Sequence, residues 1–233
     1  GLRSFGENRV QEAVAKAPST AGTPQQKIGD FFTAFMDEAR ADSLGITPLA
    51  GEFARINAIT TKADLATYFA RQLKLGVGGT VIQGGVEGDA QEPTRSVLYV
   101  SQGGIGLPDR DYYLKDEARF QEARTKFVEH LTKIFTLAGS KPRASAAAAQ
   151  AILRMETGFA EATLDRVAQR DPAATDHPTT FAELEKLAPR IDWAAYYAHH
   201  GLAQNTPLNV DQPKFLQEVD RQLRETSLTG RSI

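Results

Sequence analysis

Apolar residues along this chain recur mostly at helical spacing. From Thr23 the series Ile28, Phe31, Phe32, Phe35, Met36 and Ala39 follows one face of a 3.6-residue period and predicts a helix that stops at Gly45. Thr23 with Gln26 three residues on fits a capping box, and Pro24 suits a first helical turn. Thr47-Pro48 repeats that start for a short helix to about residue 58. Thr61 with Asp64 opens another, carrying Leu65, Tyr68, Phe69 and Leu73 and closing near Gly76. The period then shortens. Residues 80–86 and 95–102 are β-favouring runs among glycines on either side of a polar segment, which predicts a hairpin with a long tip over about 80–102. Pro108 pushes Leu107 towards an extended conformation, so residues 107–114 are expected as loop.

Helical periodicity returns beyond that loop. A long amphipathic helix is predicted over about 116–138, with Phe120, Phe127, Leu131, Ile134 and Phe135 on one side. Pro142 starts a second, alanine-rich helix, weakened at Gly158, that is expected to reach about residue 168 and to be ended by Arg170-Asp171-Pro172. Thr180 with Glu183 caps a short helix to Leu187, and Asp192 or its neighbour begins one bearing Trp193, Tyr196 and Tyr197. The final helix is predicted over 213–225, with Phe215, Leu216, Val219 and Leu223 as its stripe. Residues 17–23 and 169–179 read as loops too short for domain linkers, and no internal repeat occurs. The expected fold class is mainly α: one multi-helix domain over residues 1–233 with a single small β-hairpin. Trp193 and the phenylalanines of the helical stripes are expected in its core.

Composition narrows the chemistry. The 233 residues carry a formal charge of -2 and no basic cluster interleaved with aromatics, so nucleic acid is not an expected partner. Cysteine is absent, which excludes disulfides, thiolate metal sites and cysteine nucleophiles. No apolar run approaches the roughly 20 residues needed to span a bilayer, and the first residues, from Gly1 to Gly6, have no apolar signal core.

The chain also lacks several catalytic patterns. A zincin site needs two histidines one helical turn apart with a glutamate between them to activate water. His130, His177, His199 and His200 contain no such pair, and adjacent His199 and His200 diverge by about 100° on a helix. Two E-x-x-x-D strings, Glu38 with Asp42 and Glu161 with Asp165, are spacings that soluble helices produce by chance. Gly76-Val77-Gly78-Gly79 follows a helix and precedes a strand, the reverse of a dinucleotide loop. Gly104-Ile105-Gly106 leads into Pro108 and not into a helix, so both clusters are expected to serve the hairpin ends. Asp109, Arg110 and Asp111 are expected to tie their loop down while one ring of the Tyr112-Tyr113 pair packs inward. An acid–base role for Asp109 and Asp111 is a distant alternative.

One string carries a resemblance. Ser101-Gln102-Gly103-Gly104-Ile105-Gly106 followed by Leu107-Pro108-Asp109-Arg110-Asp111-Tyr112-Tyr113-Leu114 resembles the neprilysin and endothelin-converting enzyme family of zinc metallopeptidases. The likeness continues in order through residues 26–38, 43–49 and 181–184 and Ile191-Asp192-Trp193. It covers most of residues 5–226 and is most specific at L-P-D-R-D-Y-Y-L. Asp176-His177 stands where the family commonly has Tyr-Asn, and the lack of cysteine resembles the bacterial branch. The family's substrate-carboxylate arginine precedes a pair like Ser4-Phe5. Arg3 is out of register with it, so that role is not carried over and the substrate-binding residues stay unknown. The last five residues, from Thr229 to Ile233, do not look like the family's continuation.

The resemblance implies the largely helical amino-terminal part of such an enzyme, with no catalytic or metal-binding residue of its own. In the implied parent, a carboxy-terminal zincin-like domain binds zinc and hydrolyses oligopeptides, while the helical part limits substrate access. The parent is expected to act in the periplasm or as a secreted protein. An apolar face is expected where the catalytic domain would dock, and with it a tendency to self-associate. A stand-alone helical peptide-binding or scaffold protein is the alternative.

Overall fold

A computed structural model describes residues 21–77, 80–89, 92 and 94–225. The chain divides into two compact units, residues 1–51 and 52–233. In the first, helix α1 (Pro24–Phe35) starts where expected, with Thr23 Oγ1 accepting the Gln26 N–H at 3.3 Å. It does not run on to Gly45. Asp37 leaves the helical region (φ -79°, ψ 74°) and its carboxylate accepts the Arg40 N–H at 3.0 Å, starting a separate α2 (Glu38–Leu44). A short side chain that competes for backbone donors outweighs an unbroken apolar period. Phe31 and Phe35 stack at 6.3 Å and are 73% and 77% exposed, so here the stripe does not form a core. A 3₁₀ turn (Thr47–Leu49) leads into α3 (Ala50–Asn57), whose residues from Glu52 onward belong to the second unit.

The second unit is built on α4 (Lys62–Lys74) and the hairpin of β1 (Ile82–Gly88) and β2 (Ser96–Gln102). Thr61 and Asp64 form the reciprocal capping box that their spacing predicts. The hairpin is antiparallel, with Ile82 opposite Gln102 and Val86 opposite Leu98. Two further strands join it, giving the order β1-β2-β4-β3: β4 (Leu208–Val210) runs parallel to β2, and β3 (Pro178–Thr179) pairs antiparallel with β4. Both lie in stretches that carry no alternation long enough to read. The signature is not wholly loop, because Asp111–Leu114 makes one turn of helix, α5. Pro108 constrains only Leu107 before it and leaves residues three further on free to coil.

Helices α6 (Ala118–Leu137) and α7 (Pro142–Ala162) pack side by side, and α5 sits against both. Helix α7 ends six residues earlier than its sequence suggests. Thr163 turns extended (φ -83°, ψ 138°), and the Leu164 N–H is drawn to Gln212 Oε1 at 2.7 Å, a tertiary partner that the local pattern cannot reveal. Arg170-Asp171-Pro172 does not merely stop a helix. A 3₁₀ turn (Ala168–Arg170) is followed by α8 (Pro172–Thr175), with Asp171 as its N-cap. Helices α9 (Phe181–Leu187), α10 (Trp193–His200) and α11 (Pro213–Glu225) match their sequence signals, including the Thr180–Glu183 capping box. The core gathers Trp193, Tyr196, Tyr197, Phe159, Phe215, Leu184, Ile82 and Val100, each at most 2% exposed. Among the described residues no helix is long and apolar enough to cross a membrane.

Candidate functional site

The signature loop enters from β2 through Gly103 and Gly104. Gly104 takes φ +72°, and a Cβ there would stand 2.9 Å from Val81 Cα, so the strand end requires glycine for conformation and not for phosphate. From Gly106 onward the loop is latched to one carboxylate. Glu156, on the inward face of α7, accepts the Gly106 N–H at 3.0 Å and the Tyr113 hydroxyl at 2.5 Å. That same hydroxyl oxygen accepts the Leu107 N–H at 2.8 Å, so the ring of α5 closes back on the loop's first residue.

Burial pushes the Glu156 carboxyl above the usual carboxylate range, against the pull of its two donors. Burial and the bond to Glu156 push the Tyr113 hydroxyl up, so it stays protonated and donates. Tyr113 is the inward ring of the pair, and Tyr112 meets Phe120 edge-on at 5.1 Å.

The charged residues of the motif are engaged in structural bonds. Asp109 accepts the Asp111 N–H at 2.8 Å and pairs with Arg166. Arg110 Nε donates to the Ala160 carbonyl at 3.2 Å, fastening the loop to the end of α7. Asp111 pairs with Lys115 at 2.9 Å, and Arg124 of α6 donates to the Tyr112 and Lys115 carbonyls at 2.8 Å each. A polar cleft of about 320 Å³ lies beside the loop, with Gln83, Gln102, Arg110, Arg166 and Gln169 on its walls. Its two guanidiniums already have partners on this chain. These bonds fix the conformation of the loop.

The other singled-out residues do not converge. His130 is exposed on α6, and His177 holds the Val210 carbonyl through Nδ1 at 3.1 Å. The His199 and His200 rings lie 6.1 Å apart at 85°, at the end of α10 before Gly201. Glu38 and Asp42 are exposed on α2 in the first unit. Asp165 lies beyond the end of α7 and accepts the Val167 and Ala168 N–H groups at 2.9 Å each, so it does not share a helix face with Glu161. Among the described residues no three His, Asp or Glu side chains come together to hold a metal ion, so zinc is assigned to none of them. Arg3, Ser4, Phe5, Gly78, Gly79, most of the predicted loop over 17–23 and the last five residues lie outside the described residues.

The glycines of β2's exit, the L-P-D-R-D-Y-Y-L loop and its seat on a long helix pair define the class: the amino-terminal region of a neprilysin-like metallopeptidase. The chain belongs to Peptidase family M13, whose amino-terminal-region model matches residues 2–230. Endothelin-converting enzyme 1 of Cavia porcellus is 25% identical over 93% of this chain and 30% of its own length. The zinc metalloprotease Zmp1 of Mycobacterium tuberculosis, solved with an inhibitor, is 30% identical, with a TM-score of 0.80 over 94% of this chain and 33% of that one. PepO from Lactobacillus rhamnosis shares the fold, with a TM-score of 0.71 at 17% identity over 91% of this chain and 34% of that one. The chain thus spans about a third of the length of the relatives it matches.

Proposed function

We propose that this chain is the non-catalytic helical part of a zinc metalloendopeptidase and restricts which oligopeptides reach a zincin-like catalytic domain supplied by other sequence. The observation that carries this reading is the match itself. The family's amino-terminal model accounts for residues 2–230, and the same span corresponds to about a third of Zmp1. One feature supports it: the signature's carboxylates, Asp109 and Asp111, are engaged in bonds that hold their own loop. Zinc and the water it activates would belong to the remaining two thirds of such a protein, and no step of hydrolysis is assigned to residues here. On the same resemblance, the parent acts on peptides in the periplasm or outside the cell.

The test is hydrolysis of a quenched fluorescent oligopeptide. The 233-residue chain with added zinc is expected to release no fluorescence. A longer protein that joins it to an H-E-x-x-H-bearing domain is expected to cleave the peptide in a zinc-dependent manner. Zinc-dependent cleavage by the 233 residues alone would overturn the reading.

A further inference from the structure

The sheet guards one of its two edges and leaves the other open. Its order is β1-β2-β4-β3, so β1 and β3 each have a free side. An open edge offers unpaired N–H and C=O groups to any extended chain, and proteins usually blunt it with proline, lysine or a very short strand. Strand β3 is blunted twice: it has two residues, and the first is Pro178, which has no N–H. Strand β1 has seven residues, with neither proline nor lysine among them.

The register shows which groups of β1 face outward. In an antiparallel ladder, opposed residues alternate between exchanging both backbone bonds and exchanging none. At one end of the hairpin the Gly103 N–H donates to the Val81 carbonyl at 2.9 Å, and at the other the Asp89 N–H donates to the Arg95 carbonyl at 2.8 Å. Odd-numbered residues of β1 therefore bond to β2, and even-numbered ones turn their N–H and C=O away from it. Strand β2 keeps the same phase, since Leu98 and Val100 bond on its other side to Pro207 and Asp211. The Ile82 carbonyl is taken by the Thr80 hydroxyl at 2.7 Å. The outward backbone groups of Gly84, Val86 and Gly88 have no partner among the described residues. Val86 and Gly88 are exposed, and Gly84 is half-buried.

The size and texture of this edge decide its occupant. Gly84 to Gly88 is about 13 Å of strand. A stable complex of two folded proteins buries about 20–30 residues a side, so the edge is too small for a second copy and suits a short peptide. Two of its three open positions are glycine, so it presents main chain and few side chains. Main-chain bonding of an added strand depends little on the sequence of that strand.

We propose that the open edge of β1 binds an extended stretch of oligopeptide as an added strand, through the backbone groups of Gly84, Val86 and Gly88. This rests on the reading that the chain meets oligopeptides, and it names where the chain itself holds them.

The test follows backbone amides by NMR in the whole 233-residue chain, titrated with the peptide acetyl-Lys-Thr-Val-Thr-Val-Lys-amide. We expect saturable binding that slows hydrogen exchange at Gly84, Val86 and Gly88 about tenfold when nine-tenths of the sites are filled. Gly85 and Glu87, already paired with β2, should change little. The same peptide N-methylated at every internal residue should not bind. Val86→Pro removes an outward N–H without touching the ladder to β2 and should weaken binding about tenfold, the value of one good hydrogen bond. Val86→Thr should bind as the unaltered chain does, and unchanged Leu98 and Val100 amide shifts would show that each variant keeps its sheet. No saturable binding, equal binding of the N-methylated peptide, or equal slowing at Gly85 and Glu87 would each overturn the proposal. So would slow exchange at the three amides without peptide, whether it rises with chain concentration, which marks a second copy, or occurs only in the longer protein, which marks the catalytic domain. The fluorescent-peptide assay above fails where the longer protein does not cleave, whereas this titration fails where the edge does not bind, so the two failures are distinct.

Discussion

Replacing Tyr113 by Phe isolates the latch of the signature loop, because it deletes one oxygen and leaves the buried ring in place. That oxygen donates to Glu156 at 2.5 Å and accepts from the Leu107 N–H at 2.8 Å. A hydrogen bond to a buried charge contributes about 1.5–3 kcal/mol, and an amide left without its partner costs about 1–3 kcal/mol when water cannot replace it. Leu107 is only half-buried, so water can take up part of the second loss. The expected destabilisation is therefore about 2–4 kcal/mol, a large share of the roughly 5–15 kcal/mol typical of a whole domain. Urea denaturation followed by far-UV circular dichroism measures it, with an unchanged slope showing that the folded and unfolded states are otherwise alike. A double-mutant cycle with Glu156→Met should return a coupling of about 1.5–3 kcal/mol. A loss under about 0.5 kcal/mol, the usual effect of a surface change, or a coupling near zero would refute the latch.

The remaining predictions use the same unfolding assay unless stated. Because burial holds Glu156 above its ordinary range, the folded chain binds that proton more tightly than the unfolded one. Its contribution is full below the unfolded value of 4.5 and falls as pH rises through the folded value, so stability relative to Glu156→Gln should decline over that window; a flat difference would contradict it. Asp220, 9% exposed, accepts from the backbone and the guanidinium of Arg190 at 2.7 and 2.5 Å. Asp220→Ala should cost about 2 kcal/mol, below the 3–5 of a fully buried pair because Arg190 is partly exposed. Thr180→Ala removes an N-cap and should cost about 1 kcal/mol. Phe31→Ser with Phe35→Ser should change stability by less than about 0.5 kcal/mol. It should also reduce self-association in sedimentation velocity, since both rings are largely exposed.

The parts of this fold that are legible in the sequence are those with a local cause. The Thr61–Asp64 and Thr180–Glu183 boxes and the Asp192 cap each place their physical signal within three residues, the stripe of α11 repeats within its own helix, and the helices form there. The hairpin was legible because glycines bound two β-favouring runs. The misses have non-local causes, or local ones that conflict. Strand β4 exists because β2 offers it an edge, and β3 because β4 does. The short reach of α7 depends on Gln212, 48 residues away from Leu164. At Asp37 two local signals compete, and the cap prevails over the period.

The same division runs through the site. The signature is a contiguous string and so announces itself, but the residue that gives it shape, Glu156, lies 43 residues from Tyr113. A signal for it existed: Ile152, Met155, Glu156 and Phe159 follow the inward face of a helix, and a carboxylate among them must be satisfied by something. Hydropathy names the anomaly without naming its partner, and only the fold supplies Gly106 and Tyr113. The consequence is specific. A carboxyl group that accepts two donors from one loop fixes that loop's conformation through those bonds, so Glu156→Met, which removes the acceptor, should loosen residues 106–113. Amide hydrogen exchange at Leu107 should then rise while exchange in α11, which makes no bond to the latch, stays unchanged. Equal acceleration in both would mean that Glu156 supports the whole unit and not the loop.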